Sequence, residues 1–150
     1  MTHSYKKHFF HLIWSTKNRV PYISNEIQSR LYQYLSAMAN ERKAKIMEIG
    51  GMEDHLHILL EMNQLDKYTD LIRDLKACSS MWIHRSFINS QDFAWQQGHG
   101  SFSVSYSAID EVRKYIQNQE THHKKLTFEE EYLKFLELHH IQYDKRFVLG

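Results

Sequence analysis

An α+β fold, with helices packed on a mostly antiparallel sheet, is what this sequence predicts, and three observations lead to it. Short apolar or alternating runs recur at residues 8–16, 45–49, 55–60 and 101–106. Longer segments with apolar residues at helical spacing separate them. Gly50-Gly51 falls between the second and third runs, which makes those two the arms of an antiparallel hairpin.

Residues 8–16 (HFFHLIWST) are nearly continuous in aromatic and branched side chains, the composition of a central strand. The loop from Lys17 through Pro21 leads to Ser24, a residue type that caps helix N-termini. Ile27, Leu31, Tyr34, Leu35 and Met38 then recur at helical spacing. Residues 45–49 (KIMEI) form the next strand, and Gly50-Gly51 begins the turn into the strand at His55. From about Lys67 to Phe87 a second helix carries Leu71, Leu75, Cys78 and Trp82 in one stripe, with Arg73, Lys76 and Ser80 on another side. Residues 93–97 and 101–106 are expected to be two short strands around Gly98 and Gly100. Ser107 to Asp110 has the S-x-x-D form of a helix cap, so a helix should follow to about Gln119. Thr127 to Glu130 repeats the signature and opens a last helix, with Phe128, Tyr132, Phe135 and Leu136 on one side. The order is β-α-β-β-α-β-β-α-α, with helices covering one face of the sheet; the closest standard arrangement is ferredoxin-like.

A chain of 150 residues, 42% apolar and 13% aromatic, is long enough for one domain with a core and too apolar for disorder. With one proline, no Gly/Ser linker and no repeat, residues 1–150 are expected to form a single domain. The formal net charge is only +1, so any nucleic-acid affinity must come from a local patch. The single cysteine, Cys78, excludes an internal disulfide and a cysteine-rich zinc site, and it fits a reducing compartment. The N-terminus has no signal-like apolar stretch, and no run approaches the roughly 20 apolar residues that span a bilayer. The expectation is a soluble, cytoplasmic protein that does not engage membranes.

The chemistry centres on His55-Leu56-His57. Side chains alternate along a strand, so the two imidazoles point one way while Leu56, Ile58 and Leu60 point into a core. Two histidines do not fill a coordination shell. Gln119, with a hard carbonyl donor, can supply a third ligand for Mg²⁺ or Mn²⁺, although Zn²⁺ would also suit such a site. Tyr115 lies four residues before Gln119, on the same helical face and at the edge of the stripe marked by Ile109, Val112 and Ile116. An edge position lets its hydroxyl leave the core and act as a nucleophile on a phosphate polarised by the metal. Lys17, Arg19, Arg73, Lys76 and Lys114 are candidate phosphate contacts beside these elements. His122-His123 and His139-His140 are expected to lie at the surface or to face DNA.

The chain resembles the HUH-type tyrosine transposases of the insertion-sequence 200/605 group, which move DNA as single strands. The blocks that carry the resemblance are HLIWSTKNR (11–19), HLHILL (55–60), FSVS (102–105), YIQNQETHHKKLTFEEEYLKFL (115–136) and YDKRF (143–147). The resemblance implies that His55 and His57 are metal ligands and Gln119 the third. It implies that Tyr115 forms a 5′-phosphotyrosine link and frees a 3′-OH. It further implies a homodimer whose tyrosine helix completes the partner's site, acting on single-stranded DNA with hairpin ends. Two other classes fit part of the pattern. One is a catalytically inactive hairpin-DNA-binding regulator on the same fold. The other is a zinc hydrolase with an activated water, which would leave Tyr115 without a purpose.

Overall fold

A computed structural model describes residues 3–150 of the chain. Four strands, β1 (Phe9–Ser15), β2 (Lys45–Met52), β3 (His55–Glu61) and β4 (Gly100–Val104), form one sheet in the order β2-β3-β1-β4. Every neighbouring pair is antiparallel. Helix α1 (Asn25–Glu41) joins β1 to β2 across β3, and α2 (Tyr68–Ser86) joins β3 to β4 across β1. These two interleaved β-α-β units are the ferredoxin-like arrangement that the element order predicts. After β4 come α3 (Ile109–Gln117), α4 (Gln119–His122) and α5 (Phe128–Leu138). No helix among the described residues is long and apolar enough to cross a membrane.

The central strands β1 and β3 are buried on both faces, as continuous apolar runs require. On one face Leu12, Trp14, Leu56, Ile58 and Leu60 pack against Ile27, Leu31 and Leu35 of α1 and Leu71 and Leu75 of α2. Each fully buried side chain of this kind contributes roughly 1.5–3 kcal/mol of transfer free energy. The core helices α1 and α2 thus cover one face. The opposite face, which presents His11, His55 and His57, is covered too. There Phe9 and Leu59 meet Ile109 and Ile116 of α3, while Ile13 and Phe102 meet Phe128, Tyr132 and Leu136 of α5. The histidine pair is therefore enclosed between sheet and helices, and both residues have no exposed surface.

Four local expectations are corrected. Residues 93–97 are not a strand: Trp95 makes a single bridge to Thr16, and its ring packs edge-on against Trp14 and Phe93. The aromatic residues there fill the core instead of alternating across a sheet. Gly50 and Gly51 do not begin the turn but continue β2 opposite His57 and Leu56; the turn comes at Glu53-Asp54. Both glycines are demanded by close backbone approach. A Cβ on Gly50 would lie 2.6 Å from the Ile116 carbonyl oxygen, and one on Gly51 would lie 2.2 Å from that of His55. Ser107 does not cap a helix: its hydroxyl bonds that of Ser105, and Ala108 occupies the N-cap. The helix it was expected to open also breaks at Asn118, so Tyr115 and Gln119 lie on consecutive helices. Ser24 is the N-cap of α1 without a side-chain capping bond, whereas Thr127 and Glu130 form the full reciprocal box at α5.

Gly50 is where α3 seats on the sheet. The Gly50→Ala substitution pushes a methyl group into fixed backbone, and we expect a loss of about 1–3 kcal/mol. Urea denaturation of the two proteins checks this; equal midpoints would show that α3 does not seat there.

Candidate active site

The site is built on the β3 register. His55 and His57 alternate with core leucines and face α3–α5, as the H-x-H spacing predicts. Asp54, at the turn before β3, approaches His55 Nδ1 through Oδ1 at 2.7 Å, leaving Nε2 to point inward. His57 Nε2 lies 2.9 Å from Glu131 Oε1, and His57 Nδ1 lies 2.8 Å from His11 Nε2 on the adjacent strand.

The helices bring the remaining groups. Gln119, 1% exposed, places Oε1 3.0 Å from His55 Nε2, so the proposed third ligand does converge on the histidine pair. The same oxygen lies 3.0 Å from His123 Nε2. Glu131 comes from α5, is 1% exposed, and is contacted by His57, His123, Gln119 and Tyr115. His55, His57, His123 and Glu131 offer ligand atoms that all lie within 4.8 Å of one another. Glu131 Oε1 is 2.9 Å from His57 Nε2, 3.2 Å from His123 Nε2 and 3.6 Å from His55 Nε2. Ligands held about 2.0–2.2 Å from one ion are separated by roughly 3.0–3.6 Å, so the distances from Glu131 to the three histidines suit a shared divalent cation.

Two members of the cluster escaped the sequence analysis. His123 is not a surface residue: its side chain is only 7% exposed, and Nδ1 is held 2.7 Å from the Leu126 carbonyl. Glu131 was absorbed into a helix pattern. Its signal was an acid three residues after Phe128 and one before Tyr132, both on the buried side of α5. His122, by contrast, stacks on the Tyr115 ring at 4.4 Å, and His139 stacks on Phe102.

Tyr115 donates its hydroxyl proton to Glu131 Oε2, and its ring stands 5.7 Å from that of His57. Burial, reinforced by the carboxylate, pushes the phenol well above its ordinary value. Burial would likewise raise Glu131, but hydrogen bonds from His123 and His57 outweigh it and hold the carboxyl far below the carboxylate range. A cavity of about 230 Å³ opens beside the tyrosine, lined by Tyr115, His122, Glu131, Lys134, Phe135 and Leu138. All these groups belong to one chain.

The candidate phosphate contacts are spread out. Arg73 pairs with Asp70 and Asp74 on α2. Lys76 donates to the Gln97 and Gly98 carbonyls at 2.9 and 2.8 Å, and burial lowers it to about 8. Arg19 donates to the Leu149 carbonyl, and Lys17 lines a cavity with Gln96 and Gln97. Lys17 and Lys76 therefore flank one segment, 94–98. Lys114, exposed on α3, stands apart on the histidine side.

Comparison with known proteins adds an independent finding. Residues 4–119 match the sequence profile of the family described as "Transposase IS200 like". The ISDra2 transposase TnpA of Deinococcus radiodurans is 24% identical over 115 residues, which is 73% of this chain and 82% of that protein. A transposase structure from Deinococcus radiodurans R1 superposes with a TM-score of 0.63 at 23% identity, covering 79% of this chain and 95% of the other. The structure of a REP-associated tyrosine transposase bound to a REP hairpin gives a TM-score of 0.62 at 13% identity, covering 84% of this chain and 74% of the other.

The buried groups set a pH dependence. Burial lowers His11 to about 3 and also lowers His57, and Glu131 lies below its ordinary value. Folded values below unfolded ones mean that the unfolded chain binds more protons. The contribution of His11 and His57 is fully present above about pH 6.5 and is lost as the pH falls toward 3, and that of Glu131 begins to be lost only below about pH 4.5. His123 is raised, has the opposite sign, and offsets part of the change. We expect the Tm of metal-free protein to fall steadily from pH 7.5 to pH 4; a Tm that rises over this range would contradict the assignment.

Proposed function

The chain belongs to the IS200-like transposase family, and on that premise we propose that it cleaves and rejoins single-stranded DNA through a covalent link between Tyr115 and a 5′-phosphate. DNA strand transfer is the family's activity. The observation that carries the finer reading is the convergence of Tyr115, His55, His57, Gln119 and Glu131 within one enclosed site.

In this reading the Tyr115 hydroxyl oxygen attacks phosphorus. The Oη–P bond forms, the bond from phosphorus to the 3′-oxygen breaks, and that oxygen takes up the proton released by Tyr115 and leaves as a free 3′-OH. Glu131 Oε2, which accepts the Tyr115 hydrogen bond, would pass that proton on without retaining it. Because a phenol with a raised pKa is a weak nucleophile, the charge developing on the phosphate must be stabilised from the other side. Mg²⁺ or Mn²⁺ held at this site would supply that stabilisation by polarising the phosphoryl oxygens. His55, His57 and Gln119 would hold it, with Glu131 and His123 as further donors. The imidazoles match Mn²⁺ better than Mg²⁺. The phosphotyrosine keeps the energy of the phosphodiester, so the 3′-OH can reseal without ATP. The mostly apolar cavity beside Tyr115, with Lys134 in its lining, could receive a flanking base.

The DNA partner we propose is single-stranded with hairpin ends. Lys17, Arg19, Arg73, Lys76 and Lys114 are the phosphate contacts proposed for it. A homodimer remains part of the proposal. Exchange of α3 and α4 between two copies would rebuild the same site in trans.

The test uses end-labelled single-stranded DNA from the flanks of the protein's own gene, incubated with Mg²⁺ or Mn²⁺ and run on a denaturing gel. A covalent protein–DNA band should form and should vanish in Tyr115→Phe. Binding on a native gel without any covalent product would instead favour the catalytically inactive hairpin-binding regulator. A second outcome separates chemistry from recognition. His57→Ala should lower cleavage by more than the roughly 100-fold typical for loss of an outer-shell partner, while the native-gel affinity stays within a few-fold of wild type. Equal loss of binding would show that the metal centre and DNA recognition are one surface.

A further inference from the structure

β1 carries a histidine that this chemistry leaves unused. His11 is 3% exposed and lies on the same sheet face as His55 and His57. It pairs with Leu59, while Ile13 pairs with His57, so His11 and His57 are diagonal neighbours across adjacent strands. Their Nε2 and Nδ1 atoms are 2.8 Å apart. The His11 ring is fixed by an edge contact to Phe135 at 5.1 Å and by a second to Phe102 at 6.5 Å. Core histidines need a hydrogen-bond partner wherever they occur; the partner here is a proposed metal ligand.

The bond has a directional consequence. A neutral imidazole has one donor and one acceptor nitrogen. Glu131 is a carboxylate and only accepts, so in the present arrangement His57 carries its proton on Nε2. Its Nδ1 then accepts from His11 Nε2. To present a lone pair at Nε2 to a cation, His57 must carry the proton on Nδ1 instead, and His11 must become the acceptor. Asp54, which serves His55 in the same place, can only accept. A lysine at position 11 could only donate. Histidine does both without changing its charge, and burial holds this one neutral.

We propose that His11 is a positioning residue that orients His57 and satisfies its Nδ1 in both the metal-free and the metal-binding tautomer. The inference rests on the metal site of the preceding reading. Outer-shell partners of this kind typically set metal affinity by about 10–100-fold.

The test is Mn²⁺ binding by isothermal titration or by electron paramagnetic resonance of free Mn²⁺, without DNA. His11→Phe keeps the ring volume and removes the nitrogens; it should bind Mn²⁺ about 10–100-fold more weakly while keeping a cooperative thermal transition. His11→Gln, whose amide offers a donor and an acceptor, should recover part of that loss. In metal-free wild-type protein, ¹⁵N shifts should place the His57 proton on Nε2, and added Mg²⁺ should move it to Nδ1. Wild-type affinity in His11→Phe would overturn the inference and leave the metal site standing. Absence of Mn²⁺ binding in wild type would overturn both. If His11→Phe does not fold, a folded His11→Gln with no measurable Mn²⁺ binding also overturns it, because a tautomer-neutral amide should then have served.

Discussion

Glu131 is the charge around which the second face of the sheet is organised. An ionised carboxylate buried without partners costs several kcal/mol, and this one is almost wholly enclosed. Its cost is met by hydrogen bonds from four side chains on three other elements and the turn after α4: His57 on β3, Tyr115 on α3, Gln119 on α4, and His123. Each donor is in turn held by something else. His57 contacts His11, His123 contacts the Leu126 carbonyl, and Gln119 spans Glu131 and His55. The packing of α3, α4 and α5 on the sheet is therefore tied to the chemistry of the site. Removing one donor leaves the others with an incompletely satisfied buried charge.

The same enclosure explains how a phenol with a raised pKa sits beside the cluster of histidines and Glu131. Helix α3 approaches the sheet closely because Gly50 carries no side chain opposite His57. That approach brings the Ile116 carbonyl onto β2 and sets the Tyr115 hydroxyl over the carboxylate. After the break at Asn118, Gln119 opens α4 with its amide turned inward to His55 and Glu131. Burial strengthens every electrostatic contact in the site and makes each one conditional on the rest.

Much of this was legible in the residues. The H-x-H alternation, the apolar runs of β1 and β3, and the capping box of α5 each depend on neighbours within a few positions, and each appears in the structure as the pattern predicts. Tyr115 and Gln119 were found by their spacing, although a helix break separates them. The misses were of another kind. Residues 93–97 read as a strand because aromatic residues fit strands and cores alike, and Trp95 goes to the core. Gly50-Gly51 reads as a turn because local sequence does not reveal that another backbone passes within contact distance. A histidine after a histidine leaves His123 without a periodic mark, and the helical spacing that puts Glu131 on the buried side of α5 is masked by the glutamates beside it.

By itself the sequence determined β1 to β4, the two core helices, the start of the last helix and the pairing of two imidazoles on one side of a strand, because these follow from side-chain alternation and helical periodicity; the further strand it suggests at 93–97 does not form. It also carried the family resemblance. Only the tertiary structure decided that the histidine face is roofed by three further helices, that Glu131 and His123 join His55 and His57, and that His11 reaches His57 across a strand pair. The polar contacts of His57 with His11 and of Glu131 with His55 and His57 join residues 46 to 76 positions apart. They arise from strand register and helix docking, which bring together side chains whose spacing along the chain bears no relation to their distance in space.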